Sequence, residues 1–546
     1  MGVPLPAGAT GRLHSPQTAC TYNRAMTRRT MKWLAIALLG FVLASLVALW
    51  SYGRFVDRVR APPGSALPVA AAATPIDRAL APMTEARPGQ TGMVMLSDNV
   101  DAFAARALLA RAAGRSLDLQ YYIWRPDFTG NLLYQEVLRA ADRGVRVRLL
   151  LDDLNVHGSR SILATLDRHP LIEVRLFNPT RAREGTFLRG VEMALRLFSI
   201  NRRMHNKAWI ADARVAIVGG RNVGDEYFDA ARDVNFMDTD VAAIGPAAAE
   251  ASSIFDAYWN SPNAIPLSAL VKREKTDLAQ LREHLGAGEQ SPQAEPYRQK
   301  LEQSPGVHSL VSGQRVVHWS GKAHIVSDPP EKAEGAPQKP DWMTPVLIHD
   351  MASARQRLQL ISPYFVPGDA GVRWIGQLRR RGVAVGVLTN SLAANDVVAV
   401  HGGYAGYRVP LLREGVKLYE LKPNGKPDGS LFGSSGASLH TKAFVVDGRT
   451  GFIGSFNLDP RSMKVNTEMG LLFEQPELAR ELEKLYARKT SPAMAYEVRL
   501  QGSEGALVWS DAAATPPKLW TREPEASIWR RGAARVIGWL PVESQL

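Results

Sequence analysis

Two motifs that share one spacing constrain the fold of this chain more than any other feature. Each reads His-x-Lys-x-x-x-x-Asp and is followed, after a gap of six residues, by Gly-[Gly or Ser]-x-Asn. Four residue types recurring in one register indicate that the chain is built as two copies of one long unit. The motif residues are His205, Lys207, Asp212 and Asn222 in the first copy, and His440, Lys442, Asp447 and Asn457 in the second.

The spacing inside each motif has a physical meaning if the motif lies on a β-strand. Side chains two residues apart on a strand point to the same face, so His205 and Lys207 project together. The same holds for His440 and Lys442. Each unit then presents an imidazole, which can act as a nucleophile or a proton donor, beside a fixed cation. These four side chains are the predicted catalytic groups.

The remaining motif residues predict a phosphate clamp. Glycines after each motif allow a ligand to approach the backbone closely. Asn222, Ser455 and Asn457 can donate hydrogen bonds to phosphate oxygens. Asp212 and Asp447 complete the catalytic motifs and stand just before turn-forming residues. We expect them to orient the motif rather than to react.

The same order of predicted elements surrounds both motifs. Alternating or continuous apolar residues predict strands, and helical spacing predicts a helix between them. This β-α-β order indicates an α/β fold in which helices cover the faces of largely buried sheets. Strand, helix and strand are predicted over 116–124, 132–143 and 145–151 in the first copy, and over 357–365, 372–381 and 383–389 in the second.

Composition divides the chain into seven predicted segments. Ala- and Pro-rich sequence precedes the first copy, and a polar interval rich in Pro and Gly separates the two copies. The segments are an N-terminal tail (1–32), an apolar anchor (33–53), a linker (54–94), the first domain (95–272), a linker or insert (273–340), the second domain (341–500) and a C-terminal amphipathic extension (501–546).

Residues 33–53 form a stretch of 21 residues without a charge. As a helix rising about 1.5 Å per residue, this stretch would cross the roughly 30 Å hydrocarbon core of a bilayer. A signal-peptide core and a buried helix are alternatives. The length of the run and the lack of a nearby small-residue cleavage site favour a membrane anchor. More cations precede the run than follow it, which places the bulk of the chain outside the cytoplasm.

Net charge and cysteine content limit the classes of partner and cofactor that we expect for this chain. The 66 basic and 53 acidic residues give a net charge of +13, which favours a phosphate-bearing partner, either a nucleic acid or an anionic membrane. A single cysteine, Cys20, excludes a disulfide framework and a cysteine-based zinc site. Asp152 and Asp153 end a predicted strand, where a hydrogen-bonded strand end is favoured over a Mg²⁺ site. We expect neither a metal nor a nucleotide cofactor.

With these motifs, the sequence resembles the phospholipase D superfamily and, within it, bacterial cardiolipin synthases, especially the C type. The resemblance covers roughly 89–546 and includes the strings LDLQYYIW, GVRVRLLLDD, NRRMHNKAWIAD, VGGRNVGDEYF and GSFNLDPRS, the last followed by NTE. It implies two halves, each a mixed β-sheet flanked by helices. The halves would pack about a pseudo-two-fold axis with both motifs at their junction.

The resemblance also implies a mechanism without a metal. One imidazole attacks the phosphorus of a phosphodiester to give a phosphohistidine, and the other serves as acid and then base. His205 is the implied nucleophile and His440 the implied acid and base, with the reverse left open by the near-symmetry of the motifs. Lys207 and Lys442 would stabilise charge on the non-bridging oxygens.

Two carboxylates are implied by the resemblance to orient the imidazoles. Asp240 and Glu468 fall at matching places downstream of the two motifs, in a Thr-Asp pair and a Thr-Glu pair. Asp238 and Glu226 are alternatives in the first half. The sequence leaves the choice open.

The flanking segments bear on the substrate, because members of this superfamily cut phospholipids or nucleic acids with the same motifs. Residues 528–540 place apolar side chains at helical spacing with arginines mostly elsewhere on the wheel. This pattern is typical of a helix that lies on anionic lipid. Residues 187–200 are also apolar and dotted with arginines. A core helix is the alternative for both segments.

The sequence therefore predicts a membrane-anchored phosphatidyltransferase that makes cardiolipin from phosphatidylglycerol and a second phospholipid. The resemblance suggests phosphatidylethanolamine as that second lipid and the bacterial inner membrane as the location. A nucleic acid partner is not expected, and the sequence leaves open whether a helper protein takes part. The alternatives are a phospholipase D-type hydrolase with water as acceptor, and a phosphodiesterase or nuclease of the same superfamily. A non-catalytic scaffold is disfavoured because both motifs are intact.

Overall fold

The computed structural model describes residues 17–69, 73–156, 158–183, 185–271, 277–292, 294–424, 436–502, 505–540 and 543–545. The side chains of 17–28 are not described, so Cys20 and most of the predicted N-terminal tail lie outside the description. The described residues form two large mixed sheets with helices on their faces and one long N-terminal helix. This architecture confirms the predicted α/β class.

The first half of the chain builds a nine-stranded sheet in the order β10-β1-β8-β6-β5-β2-β3-β4-β9. Strand β7 lies outside this sheet. The strands are β1 (Thr91–Leu96), β2 (Ser116–Tyr121), β3 (Arg146–Asp152), β4 (Ile172–Phe177), β5 (Ala208–Ala211), β6 (Val215–Gly219), β7 (Val234–Met237), β8 (Asp240–Ile244), β9 (Ala264–Pro266) and β10 (His318–Ser320).

Helices connect the strands of this sheet and pack on both of its faces. They are amphipathic or apolar segments that begin at capping residues such as Thr74, Asp98 and Asp127. The helices are α1 (Gln17–Val59), α2 (Pro75–Glu85), α3 (Asn99–Ala112), α4 (Phe128–Asp142), α5 (Arg160–Leu166), α6 (Thr186–Leu195), α7 (Leu197–Ile200), α8 (Pro246–Trp259), α9 (Leu278–Glu289), α10 (Ala294–Gln303) and α11 (Pro305–Val311).

The second half builds a ten-stranded sheet in the order β11-β18-β17-β16-β12-β13-β14-β19-β20-β21. Strand β15 lies outside it. The strands are β11 (Ala323–Ser327), β12 (Arg357–Ile361), β13 (Ala384–Asn390), β14 (Lys417–Leu421), β15 (Gly436–Leu439), β16 (Lys442–Val446), β17 (Thr450–Gly454), β18 (Met469–Glu474), β19 (Ala495–Gln501), β20 (Ala506–Asp511) and β21 (Lys518–Trp520).

The helices of the second half repeat the arrangement of the first, with α14 and α16 on the outer face of the sheet beside the parallel strands. The helices are α12 (Glu331–Glu334), α13 (Met343–Ala352), α14 (Gly368–Arg380), α15 (Val398–Ala405), α16 (Arg408–Arg413), α17 (Pro460–Lys464), α18 (Pro476–Lys489) and α19 (Ile528–Gly538).

The strand orders confirm the duplication. The run β8-β6-β5-β2-β3-β4 in the first sheet has the same connectivity as β18-β17-β16-β12-β13-β14 in the second. In both runs, a strand that begins two or three residues after the motif histidine pairs antiparallel with the first strand of a parallel β-α-β unit. The predicted repeat is therefore a repeat of topology as well as of sequence.

The two halves pack through the inner faces of their sheets. One apolar cluster contains Ile210 and Val218 from the first sheet together with Val445 and Ile453 from the second, and helices α8 and α18 also contribute to it. A separate parallel pair, β7 with β15, joins the halves in register from Val234 opposite Gly436 to Met237 opposite Leu439. Burial of this shared core holds both motifs at one junction.

The sheets extend past several predicted segment boundaries. Strand β1 begins at Thr91, within the predicted 54–94 linker. The predicted 273–340 linker holds β10, which joins the first sheet, and β11, which joins the second. Strands β20 and β21 carry the second sheet into the predicted 501–546 extension. Composition missed these strands because strand pairing depends on distant partners.

The N-terminal helix α1 confirms the predicted apolar helix. Its Arg29–Val59 part is long and apolar enough to cross a membrane, with a mean hydropathy of 2.4 over its most apolar window, and that window is not buried within the protein. The end of the helix packs onto the first half through Tyr52 and Val56, which contact Ile265. The guanidinium of Arg196 lies 3.3 Å from the centre of the Tyr52 ring.

We expect Gly219→Ala to destabilise the protein, because an added Cβ would lie 2.6 Å from the Cα of Asp240 and 2.8 Å from the carbonyl oxygen of Thr239. These are backbone atoms of the neighbouring strand and cannot move aside, so the cost is about 1–3 kcal/mol. Thermal unfolding of the purified full chain in detergent measures it. Gly288→Ala is the matched control, since its Cβ would meet no atom within 4 Å. Equal melting temperatures for the two variants would contradict this account.

Candidate active site

Each motif histidine is fixed by a backbone hydrogen bond from the other half of the chain. The amide of His205 donates to the carbonyl of Thr467 at 2.9 Å, and the amide of His440 donates to the carbonyl of Met237 at 2.9 Å. The two histidines lie just outside the strands, His205 three residues before β5 and His440 two residues before β16. The structure thus places both predicted imidazoles at the junction between the halves.

The carboxylates that contact the imidazoles are also exchanged between the halves. Glu468 Oε2 lies 2.7 Å from His205 Nδ1, and Asp238 Oδ2 lies 2.5 Å from His440 Nδ1. In each case the carboxylate directly follows the residue whose carbonyl accepts the histidine amide. A carboxylate can only accept here, so Nδ1 carries a proton and Nε2 is the nitrogen available for chemistry.

Burial sets the charge of the imidazoles and lysines. It lowers the pKa of His205 to about 4, against the opposing effect of Glu468 and with a further lowering effect of Lys207. It likewise lowers the pKa of Lys207 to about 7 and that of Lys442 to about 8. A neutral imidazole beside a cation is the state that a nucleophile acting on phosphate needs.

The two motifs form one electrostatic cluster rather than two separate sites. The pKa of Lys207 responds to Glu468 and Asp238, one carboxylate from each half, and to Lys442 of the second motif. Burial tends to raise the pKa of Asp238, but the charges of His440 and Lys442 more than offset it and the pKa is lowered. The centre therefore contains two ionised carboxylates, two lysines and two imidazoles.

Aromatic side chains wall the imidazoles. The ring of Tyr122 lies 5.0 Å from that of His205 and 5.4 Å from the ammonium nitrogen of Lys207. Tyr227 and Phe236 lie 5.3 Å and 5.1 Å from the ring of His440. None of these aromatics is among the predicted site residues, although Tyr122 lies in the LDLQYYIW string. These ring contacts contribute to the burial of both imidazoles.

Asp212 and Asp447 do not contact the imidazoles. The carboxylate of Asp212 accepts hydrogen bonds from the amides of Gly114, Arg115 and Ser116, just before strand β2. Asp447 accepts from the three equivalent amides before β12, those of residues 355–357. Both carboxylates therefore hold the C-terminal end of the motif strand, β5 or β16, against the start of the neighbouring strand, β2 or β12.

Asp240, predicted to orient an imidazole, does not do so. Its carboxylate forms buried ion pairs with Arg106 at 2.8 Å and Arg221 at 2.5 Å. Asp238 takes the predicted orienting place instead, and the other alternative, Glu226, pairs with Arg125. The physical reason is the register of the cross-half contact, because the carboxylate must directly follow the carbonyl that accepts the His440 amide.

The predicted phosphate ligands lie close to these groups but differ in their contacts. Asn222 donates to the hydroxyl of Tyr227 at 2.9 Å and accepts from the amide of Ile123. Ser455 donates to Glu468 at 2.5 Å. Asn457 Oδ1 is buried without a hydrogen-bond partner among the described residues. Among the described residues, Asn457 thus has an amide oxygen that is not hydrogen-bonded. Asn222 and Ser455 instead hydrogen-bond to Tyr227 and Glu468 and help to hold them in place.

Asp152 and Asp153 form the hydrogen-bonded strand end that the sequence favoured. Asp152 pairs with the buried Arg203 and accepts from the amide of Met204 at 3.0 Å. Asp153 accepts from the amide of Thr180 and pairs with Arg183. Within the described part of the chain, no group of three His, Cys, Asp or Glu side chains is placed to hold a metal ion.

Comparison with known proteins agrees with this geometry. The fold resembles the crystal structure of phosphatidylserine synthase from Haemophilus influenzae, with a TM-score of 0.53 at 14% identity over 83% of this chain and 95% of that one. The family described as "Cardiolipin synthase, PLD-like domain" matches residues 106–259 and 347–489. These two matched ranges are the two halves that meet at the histidines.

Sequence relatives identify the family. Cardiolipin synthase C of Escherichia coli (strain K12) is 43% identical over 85% of this chain and 98% of its own length. An uncharacterised protein of Helicobacter pylori (strain ATCC 700392 / 26695) is 33% identical over 74% of this chain and 81% of its own. The fold and site define a phospholipase D superfamily phosphatidyltransferase. The chain belongs to the cardiolipin synthase family of PLD-like proteins.

We expect Asp238→Asn to lower kcat about 10²–10⁴-fold with little change in KM, because an amide cannot stabilise a charged imidazole as a carboxylate does. Asp240→Asn should act differently. It leaves Arg106 and Arg221 short of a buried countercharge, so it should cost about 3–5 kcal/mol of folding stability.

Lipid turnover per mole of folded protein, together with thermal unfolding, separates these effects. The assignment of Asp238 fails if Asp238→Asn keeps wild-type kcat, or if Asp240→Asn loses turnover without losing stability.

Proposed function

We propose that this protein makes cardiolipin by transferring a phosphatidyl group through a phosphohistidine on His205. The observation that carries the proposal is the pair of Nδ1-anchored imidazoles, held by Glu468 and Asp238, within one charged cluster. A two-step transfer needs a nucleophile and a separate proton carrier on the same phosphorus. The site supplies both from equivalent positions of a duplicated fold.

In the first step, His205 Nε2 attacks the phosphorus of a phosphatidylglycerol or phosphatidylethanolamine donor. The bond between phosphorus and the head-group oxygen breaks, and protonated His440 gives its Nε2 proton to the departing alkoxide. Lys207 and Lys442 offset the charge that builds on the non-bridging oxygens. The phosphatidyl group is then joined to His205, and the free head-group alcohol leaves.

In the second step, a hydroxyl of phosphatidylglycerol attacks the same phosphorus. Neutral His440 takes the hydroxyl proton, the bond between phosphorus and His205 breaks, and cardiolipin is released. Water in place of this hydroxyl would give phosphatidic acid, the product of the hydrolase alternative. The aromatic walls around both rings restrict water and favour the lipid alcohol.

Exposed apolar surfaces support a lipid substrate over a nucleic acid. None of the residues of α6 is buried, and Phe198 on α7 is exposed as well. On α19, Trp529 is 85% exposed and Trp539, at its C-terminal end, is 76% exposed. Large aromatic side chains beside arginines are typical of a surface that enters the interface of an anionic membrane.

The anchor helix indicates where this exposed apolar surface would lie relative to the membrane. Helix α1 packs against α6 near its end, so the membrane that it spans would lie next to the exposed apolar residues. We propose a single anchor in the bacterial inner membrane, with the catalytic part on the outer side as the charge asymmetry of the flanks indicates. A phosphodiesterase acting on nucleic acid would have no use for this arrangement.

Expression of the chain in bacterial cells that lack cardiolipin is the direct test. The wild-type protein should restore cardiolipin in extracted lipids, while His205→Ala and His440→Ala should restore less than about a thousandth of it, since each removes an essential group. Gly288→Ala serves as the folding control. Accumulation of phosphatidic acid instead would favour the hydrolase, and DNA nicking without any lipid product would favour the nuclease.

Trapping identifies the nucleophile. Acid-labile, alkali-stable label from a radiolabelled donor lipid should appear on the peptide that contains His205. Label on the His440 peptide would reverse the assignment.

The pH profile of kcat/KM follows from the active-site groups whose pKa values are shifted. His205 must be neutral to attack, and its pKa of about 4 keeps it neutral well below the usual range of histidine. Lys207 and Lys442 must be charged, and their pKa values of about 7 and about 8 place their loss of charge near neutrality. His440 must be protonated in the first step, and burial lowers its pKa below the ordinary histidine value. Activity should therefore persist in mild acid and already decline before neutral pH is reached. Hydrolysis of a soluble chromogenic diester measures the profile, and an acid limb near the ordinary histidine pKa would contradict it.

A further inference from the structure

An arginine-lined pocket on the first half of the chain is not used by the reaction described above. Its volume is about 470 Å³, and it opens to solvent between the start of helix α5 and the start of helix α6. The residues that define it are Arg160, Ser161, Arg183, Gly185, Thr186 and Arg189. Three guanidinium groups in one pocket indicate a site for an oxyanion.

Of the arginines that line the pocket, Arg183 has the most buried nitrogens without a hydrogen-bond partner among the described residues. Its side chain is only 8% exposed, and one nitrogen pairs with Asp153 at 2.5 Å. The other two nitrogens, Nε and Nη2, are buried without a hydrogen-bond partner among the described residues, as is Nε of Arg189. Buried guanidinium donors without acceptors are costly, so a ligand with several acceptor oxygens would stabilise them.

The start of helix α6 adds further donors. The helix begins at Thr186 after Gly185, whose φ of 85° turns the chain sharply and which has no side chain to cap the first turn. The amides of the first turn of a helix lack partners within the helix and carry the positive end of its dipole. Together with the arginines they form a converging set of donors suited to a phosphate.

Two exposed apolar residues that follow the pocket-lining Thr186, which we call the rim, indicate what the phosphate is attached to. Phe187 and Leu188, the residues after Thr186, are 79% and 62% exposed. Burial of these side chains by acyl chains would be favourable, whereas a free phosphate would leave them in water. The guanidinium of Arg181 stacks over Phe55 of the anchor helix at 5.0 Å, so this rim lies next to the membrane helix.

A short chain of contacts joins the pocket to the reacting centre. Asp153, the partner of Arg183, directly follows Asp152. Asp152 pairs with Arg203 and accepts from the amide of Met204, the residue before His205. The pocket is therefore linked through these buried ion pairs to Met204, the residue before the proposed nucleophile.

We propose that this pocket binds the phosphate of a phospholipid that is not the one under attack, with its acyl chains over Phe187 and Leu188. The inference rests on the proposed function, because a reaction that joins two phospholipids must hold two phosphates at one centre. Only one of these phosphorus atoms reacts. A hydrolase that uses water would need no second phosphate site.

A binding experiment on the catalytically inactive His205→Ala protein tests the site without turnover. The full chain in detergent micelles is titrated with fluorescent short-chain phosphatidylglycerol, and affinity is expressed as mole fraction of lipid in the micelle. Arg183→Gln and Arg189→Gln should each weaken binding about tenfold, the loss expected for a charge-assisted hydrogen bond. Arg189→Gln keeps the Arg183–Asp153 pair, so it reports on binding even if Arg183→Gln folds poorly.

Arg480→Gln is the matched control, because it removes one positive charge from an exposed side chain on α18. Equal affinity for Arg189→Gln, Arg183→Gln and this control would overturn the proposal. Loss of cardiolipin synthesis by the wild-type chain, with arginine-dependent binding intact, would reject only the proposed function.

A second arm distinguishes a lipid phosphate from a free one. Phe187→Ser should weaken lipid binding several-fold while leaving displacement by inorganic phosphate unchanged, because only the lipid contacts the rim. Wild-type lipid affinity in Phe187→Ser, together with full displacement by inorganic phosphate, would identify a free phosphate site and overturn the lipid assignment.

Discussion

The exchange of carboxylates between the two halves is the interaction on which the catalytic centre depends. Glu468 holds His205 and Asp238 holds His440, each across the junction and each next to the carbonyl that binds the histidine amide. The same contact fixes ring orientation, tautomer and the relative position of the halves. Catalytic geometry and domain assembly therefore cannot vary independently in this fold.

Burial of the cluster shifts the pKa values of its histidine and lysine side chains. Desolvation favours the neutral form of His205 and weakens the hold of Lys207 and Lys442 on their protons. The two carboxylates remain ionised because the same cluster supplies their countercharges. A phosphodiester that binds in the cluster would add a negative charge beside Lys207 and Lys442 and so stabilise their charged forms. The charges of the centre thus suit a phosphodiester.

The sequence predicted the repeat, the motif residues and Glu468, because fixed spacing and residue type carry that information. It misplaced the first-half carboxylate, since Asp238 and Asp240 differ by two residues and only the strand register across the junction selects Asp238. The strands β10 and β11 were also missed, because each is short and is stabilised by a partner far away in the chain. Local pattern cannot report contacts of this kind.

The crossed carboxylates also bear on how such a chain could arise. A single unit cut out of this protein would present a histidine without the carboxylate that orients it, and a carboxylate with no ring to hold. An ancestor that encoded only one copy would regain both contacts by pairing with a second identical molecule about a two-fold axis. Fusion of the two copies would then have secured the partnership and left each copy free to diverge.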